Sequence, residues 1–238
     1  MATFVLVHGA WHGSWCWRRV RKRLQHAGHD VFTPTLTGVG ERCHLAAPDV
    51  NLSTHIADVL NLIHWEQLSK IILCGHSYGG FVISGVADRI PDRIHALVYL
   101  DSFVPEDGEC LFDLVSPELA DGLRRQAAAS GDGWKVNPIP GEVFEVNLAD
   151  RAWMNAQCTP HPIASLEERI RLTGALERIQ KATHILATGF REGSPFPAAQ
   201  ARAKKRGWKT TTMTCGHDVM LDMPEELTAS LLDYDSPD

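Results

Sequence analysis

The chain has 238 residues, of which 44% are hydrophobic and 22% are charged, proportions that are typical of one globular domain with its own core. Its formal net charge is -6 and its 23 basic residues are spread along the chain, which argues against a nucleic-acid or anionic membrane partner. A neutral or apolar small molecule is the partner that this composition favours.

The six cysteines are scattered without a C-x-x-C pair, so we expect reduced thiols that pack as small hydrophobic groups. The sequence runs from Met1 almost directly into FVLVHG, without the basic and small-residue features of a secretion signal. It also has no uncharged apolar stretch of about 18 residues. We therefore expect a soluble, cytoplasmic protein that does not associate with membranes.

Short apolar runs bounded by turn residues recur along the chain and predict buried parallel strands. These runs lie at 3–9, 29–36, 70–77, 95–102, 184–190 and 209–217. Between the first four runs, helical patterns occupy 15–28, 53–68 and 79–90, and a Ser/Thr cap opens the second of them. Because strand and helix alternate, we expect an α/β fold with a doubly wound, mostly parallel sheet.

The alternation stops between Val104 and about Lys181, where proline, glycine, tryptophan and charged helical stretches mix without a strand-like run. An insertion of this length after the fourth strand predicts a helical cap that lies over the carboxyl edge of the sheet. We expect residues 1–103 and 182–238 to form the core and residues 104–181 to form the cap, within a single structural domain.

The segment CGHSYGG (74–80) matches the pattern G-x-S-x-G, directly after a predicted strand and directly before a predicted helix. In this context the turn strains the backbone of Ser77 and exposes its hydroxyl as a nucleophile. A structural turn whose serine only caps the helix is the plainer alternative. His217, in the segment CGHDVM after the last strand, is the only one of 12 histidines placed to act as the base.

A serine nucleophile that attacks a carbonyl group also needs two donors for the tetrahedral oxyanion, usually the amide after the nucleophile and one from the loop after the first strand. The Tyr78 N–H is the candidate for the first donor. In VHGAWHG (7–13) the chain turns at Gly9, and the Ala10 N–H is the candidate for the second. An ordinary glycine turn would give the same pattern.

Together these residues resemble the α/β-hydrolase family, and within it the small-esterase and hydroxynitrile-lyase branch that includes plant methylesterases and bacterial carboxylesterases. The segments that carry the resemblance are FVLVHGAWHGSWCW (4–17), CGHSYGG (74–80), YLDSFVPEDG (99–108) and CGHDVM (215–220). The segments 33–45 and 158–162 are similar to bacterial esterases that cleave small aromatic esters and the carbamate ester of benzimidazole fungicides. The resemblance implies hydrolysis of an ester or carbamate substrate through an acyl-enzyme.

The acid of the triad is where this chain departs from the plant members of the family. Their acid follows the strand that corresponds to 184–190, but here the sequence continues GFREG without an aspartate at the matching place. We favour Asp101, at the end of the fourth predicted strand, and keep Glu192 as the fallback. Asp218, Asp222 and a triad without a strong acid are also compatible with the sequence. Whichever residue serves, it would fix the tautomer of His217.

Aromatic residues of the predicted cap and of the loops near the serine indicate a pocket for a flat or small apolar acyl or alcohol group. The candidate lining residues are Trp11, Phe103, Trp134, Trp153 and His161. Packing of the cap against the core, or a structural role for His161, would explain the same residues.

Hydroxynitrile lyases of this branch use a threonine in the first loop and a lysine directly after the catalytic histidine, where this chain has Gly9 and Asp218. The resemblance therefore implies an esterase in preference to a lyase, and a weakly catalytic binding protein or receptor of the same fold is the second hypothesis. His12 and His44 lack the companions of a metal site, so we expect no metal and no cofactor. The sequence leaves a homodimer open.

Overall fold

The computed structural model describes residues 1–189 and 193–235 of the chain. Within this part the strands are β1 (Thr3–Val7), β2 (Asp30–Phe32), β3 (Ile71–Ser77), β4 (Ile94–Ser102), β5 (Lys135–Val136), β6 (His161–Pro162), β7 (Lys181–Ala187) and β8 (Lys209–Met213). All except β5 and β6 form one sheet in the order β2-β1-β3-β4-β7-β8, and each pairing is parallel. The expectation of a doubly wound parallel sheet is confirmed.

The helices of the same residues are α1 (Arg18–His26), α2 (Leu52–Trp65), α3 (Gly79–Arg89), α4 (Pro117–Ser130), α5 (Leu148–Gln157), α6 (Ala164–Glu167), α7 (Phe196–Lys205), α8 (Val219–Asp222) and α9 (Pro224–Leu232). The expected Ser/Thr cap of α2 was wrong in its residue. Asn51 caps this helix, because its side chain accepts from the Thr54 N–H while the Thr54 hydroxyl accepts from the Asn51 N–H. No helix in the described part of the chain is both long and apolar enough to cross a membrane.

The strand order determines where a ligand can bind. From β1 the chain passes to β2 at one side of the sheet and then returns to β3 on the other side of β1. Because crossovers between parallel strands are right-handed, α1 and α3 lie on opposite faces of the sheet. The chain therefore leaves β1 and β3 toward opposite faces at the carboxyl edge, which is the place where open α/β sheets bind their ligands.

Residues 104–180 connect β4 to β7, and we call them the inserted segment. This segment contains α4, α5 and α6 together with a small antiparallel ribbon, in which Lys135 pairs with Pro162 and Val136 pairs with His161. The sequence predicted helices here and no strand. The two strands of the ribbon are only two residues long, too short to leave an apolar run in the sequence.

Candidate active site

Ser77 ends β3 on a tight turn into α3. Its φ is 54°, in the left-handed region that costs a non-glycine residue free energy. The turn needs glycine on both sides, because a Cβ on Gly75 would lie 2.7 Å from the Gly79 carbonyl oxygen. The side chain of Ser77 is partly exposed and lines a cavity at the carboxyl edge of the sheet.

The loop after β1 packs directly against this turn. A Cβ on Gly9 would lie 2.9 Å from the Cβ of Ser77, so the absence of a side chain at Gly9 is what allows the approach. Ala10 and Tyr78, whose amides are the candidate oxyanion donors, line the same cavity as Ser77. The structure therefore brings the two candidate donor residues and the candidate nucleophile to one place.

His217 and Asp101 form a buried hydrogen bond beside the cavity. The distance from His217 Nδ1 to Asp101 Oδ2 is 2.6 Å, and the second oxygen of Asp101 accepts from the Ala187 N–H at 3.0 Å. His217 itself lines the cavity with Ser77. Because Nδ1 donates to the carboxylate, Nε2 of the neutral imidazole is the nitrogen that can accept a proton.

A β-bulge explains how a residue of the central sheet reaches His217. In the pairing of β3 with β4, His76 lies opposite Leu100 while Ser77 lies opposite Ser102, which makes Asp101 the extra residue. Its φ of 38° departs from that of an extended strand. Bulges of this kind redirect a side chain, and here the carboxylate meets the imidazole of His217.

The remaining candidate acids lie elsewhere. Asp218 contacts His12, at 3.1 Å between Oδ2 and Nε2. Asp222 accepts from the backbone N–H of Gly216 at 3.0 Å and from Asn147. Glu192, the fallback, lies outside the described residues. Among the described candidates, Asp101 is the one for which the structure gives a hydrogen bond to the His217 ring.

His8 holds the peptide plane that carries the Ala10 N–H, a role that no sequence pattern indicated. Nε2 of His8 accepts from the Leu36 N–H at 3.1 Å, so the hydrogen of the neutral ring is on Nδ1, which donates to the Gly9 carbonyl oxygen at 2.8 Å. Burial lowers the pKa of His8 from 6.5 to about 3, and the ring stays neutral. In a trans peptide the Ala10 N–H points away from this carbonyl.

Trp11 joins the loop after β1 to the inserted segment. Its backbone is left-handed, with a φ of 64°. Its N–H donates to His161 Nδ1 at 3.3 Å, its Nε1 donates to the Val136 carbonyl at 3.1 Å, and its carbonyl accepts from the Thr159 N–H at 3.0 Å. His161, a predicted pocket residue, is thus a fully buried acceptor beneath the loop.

The cavity has a volume of about 80 Å³ and an almost entirely apolar lining. Besides the loop residues, Leu111, Leu123, Phe144 and Leu166 of the inserted segment contribute to the lining, and so does Phe196 at the start of α7. Among the described lining residues none is Asp, Glu, Lys or Arg. Such a cavity accepts uncharged apolar groups, since a buried charge would have no partner.

Two of the predicted pocket residues, Trp11 and Phe103, line this cavity. The other three stay predictions and are absent from its described lining. Trp134 lies beneath Lys135 with 4.8 Å between the ammonium and the ring centroid, Trp153 packs edge-on against Trp15 at 5.1 Å, and His161 lies below Trp11. Their aromatic or polar character favours a place in a pocket wall, whereas the inserted segment turns mainly aliphatic side chains toward the cavity.

A metal site would need several histidine, cysteine or acidic side chains to converge on one point. Within residues 1–189 and 193–235, no group of three or more such side chains is arranged to hold a metal ion. His12 is paired with Asp218, and His44 is exposed on the surface. All six cysteines are free thiols in the structure.

Comparisons with known proteins agree with this architecture. The model of the alpha/beta hydrolase family matches residues 4–230. A carbendazim hydrolyzing esterase of Nocardioides sp. (strain SG-4G) is 47% identical over 239 residues, covering 97% of this chain and 98% of that protein. A putative chloroplastic methylesterase 14 of Arabidopsis thaliana is 29% identical over 215 residues, covering 84% of this chain and 61% of that protein.

Among solved structures, an extracellular alpha/beta-hydrolase from a Paenibacillus species is similar over 100% of both chains, with a TM-score of 0.86 and 25% identity. That protein is described as sharing structural and functional homology with tobacco salicylic acid binding protein 2. A pyrethroid hydrolase from Sphingobium faniae JZ-2 covers 99% of this chain and 98% of its own, with a TM-score of 0.76 and 21% identity, a likeness of fold.

Proposed function

Because this chain belongs to the alpha/beta hydrolase family, we propose that it is a serine esterase for small aromatic or apolar carboxylic esters, including carbamate esters. The observation that carries the proposal is the shared apolar cavity of Ser77 and His217, with the 2.6 Å hydrogen bond from His217 to Asp101 behind it. The carbamate part is supported by the 47% identity to the carbendazim hydrolyzing esterase.

In the first half of the reaction, the Ser77 hydroxyl attacks the carbonyl carbon of the substrate while Nε2 of His217 takes the hydroxyl proton. Asp101 keeps the hydrogen of the neutral imidazole on Nδ1 and stabilises the imidazolium that forms. The amides of Ala10 and Tyr78 donate to the negative oxygen of the tetrahedral intermediate. His217 then protonates the leaving alcohol, and an acyl or carbamoyl group remains on Ser77.

In the second half, His217 removes a proton from a water molecule, whose oxygen attacks the acyl carbon. His217 then returns the proton to the Ser77 oxygen as its bond to the acyl carbon breaks and the acid is released. The apolar walls of the cavity exclude other water and strengthen the electrostatic interactions at the oxyanion. The lining favours an uncharged ester over a substrate that carries a carboxylate or phosphate near the scissile bond.

The two competing hypotheses explain fewer observations. A receptor or binding protein does not require a carboxylate on the imidazole beside a strained serine. A hydroxynitrile lyase of this family uses a lysine directly after the catalytic histidine, where this chain has the carboxylate of Asp218. Contact with His12 holds the pKa of Asp218 below its ordinary value in spite of burial, and the residue carries a negative charge.

The proposal is tested with 4-nitrophenyl acetate and with a methyl carbamate of a benzimidazole as substrates. We expect Ser77→Ala to lower kcat by at least about 10⁴-fold for both, because the nucleophile is lost. Ser130→Ala, which changes an exposed serine at the end of α4, is the matched control and should keep the parent rate. Equal rates for Ser77→Ala and the parent would exclude the serine mechanism, and turnover of the acetate alone would remove the carbamate part.

A further inference from the structure

Behind the catalytic histidine lies a second carboxylate–histidine pair that the proposed mechanism does not use. Asp218 follows His217 directly, and its Oδ2 lies 3.1 Å from Nε2 of His12. Both side chains are at most 2% exposed. Neither His12 nor Asp218 is among the described residues that line the cavity. The pair is therefore buried beside the reacting groups without touching the substrate space.

The two nitrogens of His12 both face acceptors. Nδ1 lies 2.8 Å from the carbonyl oxygen of Ala10, and Nε2 faces the carboxylate of Asp218. A carbonyl oxygen and an ionised carboxylate cannot donate, so both ring nitrogens of His12 carry a hydrogen and the ring is an imidazolium. Although burial disfavours the charged form, contact with Asp218 and the hydrogen bond to Ala10 raise the pKa of His12 above its ordinary value.

The neighbouring side chains described below are uncharged, so none of them substitutes for the charge of His12 or of Asp218. The indole of Trp15 stacks on His12 with 5.0 Å between ring centroids. His76 Nε2 donates to the His217 carbonyl at 3.1 Å and also lies 3.7 Å from Asp218 Oδ1, but burial lowers the pKa of His76 well below its ordinary value, so this ring is neutral. Burial keeps the pKa values of the nearby His8 and His161 below the ordinary range, and it raises the pKa of the Cys16 thiol. The positive charge of His12 is thus balanced by the negative charge of Asp218.

We propose that the His12–Asp218 ion pair is a positioning element. It holds the loop after β1, which carries the Ala10 N–H, at a fixed position relative to His217. One end of the pair is the residue after the base, and the other end binds the carbonyl of Ala10, whose own N–H is the candidate oxyanion donor. His12 and Asp218 are 206 positions apart in the sequence. The inference rests on the proposed esterase function and adds two residues to it.

The expected signature of this role is a loss in kcat with KM near the parent value, since the pair acts on the geometry of the transition state and not on the cavity wall. A misplacement of catalytic groups by about 1 Å can cost about 100-fold in rate. We therefore expect breaking the pair to lower kcat by about 10- to 100-fold.

The experiment breaks the bridge at each end separately. The amide nitrogen of His12→Asn can reach the Ala10 carbonyl but not Asp218, and that of His12→Gln can reach Asp218 but not Ala10. Asp218→Asn removes the carboxylate. Each single change at a buried ion pair leaves one charge uncompensated, so the double variant His12→Gln/Asp218→Asn is made as well, because it has no unpaired charge and should fold. His44→Gln, on an exposed histidine, is the matched control.

For each variant we measure the melting temperature, kcat and KM for 4-nitrophenyl acetate, and inhibition by a trifluoromethyl ketone, which forms a tetrahedral adduct with an active-site serine. We expect kcat and the affinity for the ketone to fall together in the folded variants, and the double variant to lose less than the product of the single losses. The parent kcat should fall at alkaline pH as His12 loses its proton. In Asp218→Asn this fall should move to lower pH, because the carboxylate that holds the proton on His12 is gone.

Two results would overturn the inference. One is a double variant that is folded and retains the parent kcat and ketone affinity. The other is a loss of activity that only follows the loss of folded protein, with kcat per folded molecule unchanged. Failure of the proposed function is recognised separately, since the parent and Ser77→Ala would then hydrolyse the ester equally.

Discussion

The two walls of the cavity are built in different ways. One wall is the carboxyl edge of the sheet, where Ser77, His217 and the buried Asp101 are fixed by a strained turn, a bulge and short hydrogen bonds. The other wall is the inserted segment, which presents mainly aliphatic side chains such as Leu111 and Leu123. Under the proposed function, the difference separates bond-breaking chemistry, held by directional contacts, from substrate selection, which depends on shape and apolar area.

The largest effect is expected on the sheet wall, for Asp101→Asn. The asparagine is nearly isosteric but no longer provides a carboxylate for His217, so kcat should fall by about 10⁴-fold while KM changes little. Steady-state kinetics on 4-nitrophenyl acetate measure this. Glu192→Gln is the comparison variant, and a large loss in that variant together with a normal rate in Asp101→Asn would assign the acid to Glu192.

On the inserted wall the expected effect is smaller and of another kind. Leu123→Ala should enlarge the cavity and raise kcat/KM for a hexanoyl ester relative to the acetyl ester by about 10-fold, the effect of a few methylene groups in an apolar pocket. It should also lower the free energy of unfolding by about 2 to 5 kcal/mol.

Leu24→Ala is the matched control for this change. Leu24 is fully buried in α1, away from the lining, so its truncation should cost similar stability and leave the ratio of the two esters unchanged. An altered ratio in Leu24→Ala, or an unaltered one in Leu123→Ala, would show that the inserted wall does not select the acyl group.

The smallest effect concerns a contact that joins the two regions. Arg19 in α1 makes a bidentate pair with Asp150 in α5, at 2.6 Å for each contact. The hydrogen bonds from Arg19 hold the pKa of Asp150 below 3.8. A carboxyl with a lowered pKa stabilises the fold above its unfolded-state pKa, and this contribution is lost as the pH falls below about 4 through the folded-state pKa.

Asp150→Asn should therefore lower the free energy of unfolding at pH 7 by no more than about 1 kcal/mol, because the Arg19 side chain is 42% exposed and water screens the pair. The difference from the parent should shrink as the pH falls, which urea unfolding at pH 7 and near pH 3 can measure. Asp121→Asn, in an exposed pair within α4, is the control. A constant difference at both pH values would argue against the ionic contribution.

The sequence indicated the sheet wall far better than the inserted wall. Strand β3 is buried on both faces and leaves a continuous apolar run before the serine, and a β-strand followed by G-x-S-x-G has few structural alternatives. The favoured acid, Asp101, stays a prediction about catalysis that the geometry supports. Its bulge has no sequence signal, because the extra residue is defined only by pairing with β3.

The insertion and its helices were predicted, but the side chains that it turns toward the cavity were not, for a physical reason. Trp134 and Trp153 have the residue type of a pocket wall, but the direction of a side chain on a short helix or ribbon depends on packing between elements distant in sequence. The His12–Asp218 pair could not be predicted for the same reason. An acid directly after His217 is the available signal, but from the sequence alone Asp218 is one of the candidate triad acids and an argument against lyase chemistry.

Under the proposed function, the bonds of Trp11 to the inserted segment would couple opening of the cavity to loss of activity. If residues 136–161 moved away from the sheet, the acceptors of the Trp11 N–H and indole would leave with them, and the neighbouring Ala10 amide would lose its support. An open conformation would then lack a complete oxyanion site. By thermodynamic linkage, a substrate that favours closure would favour this conformation of the loop after β1 by the same free energy, and under the proposed function Ser77 would then react only when it is shielded from bulk water.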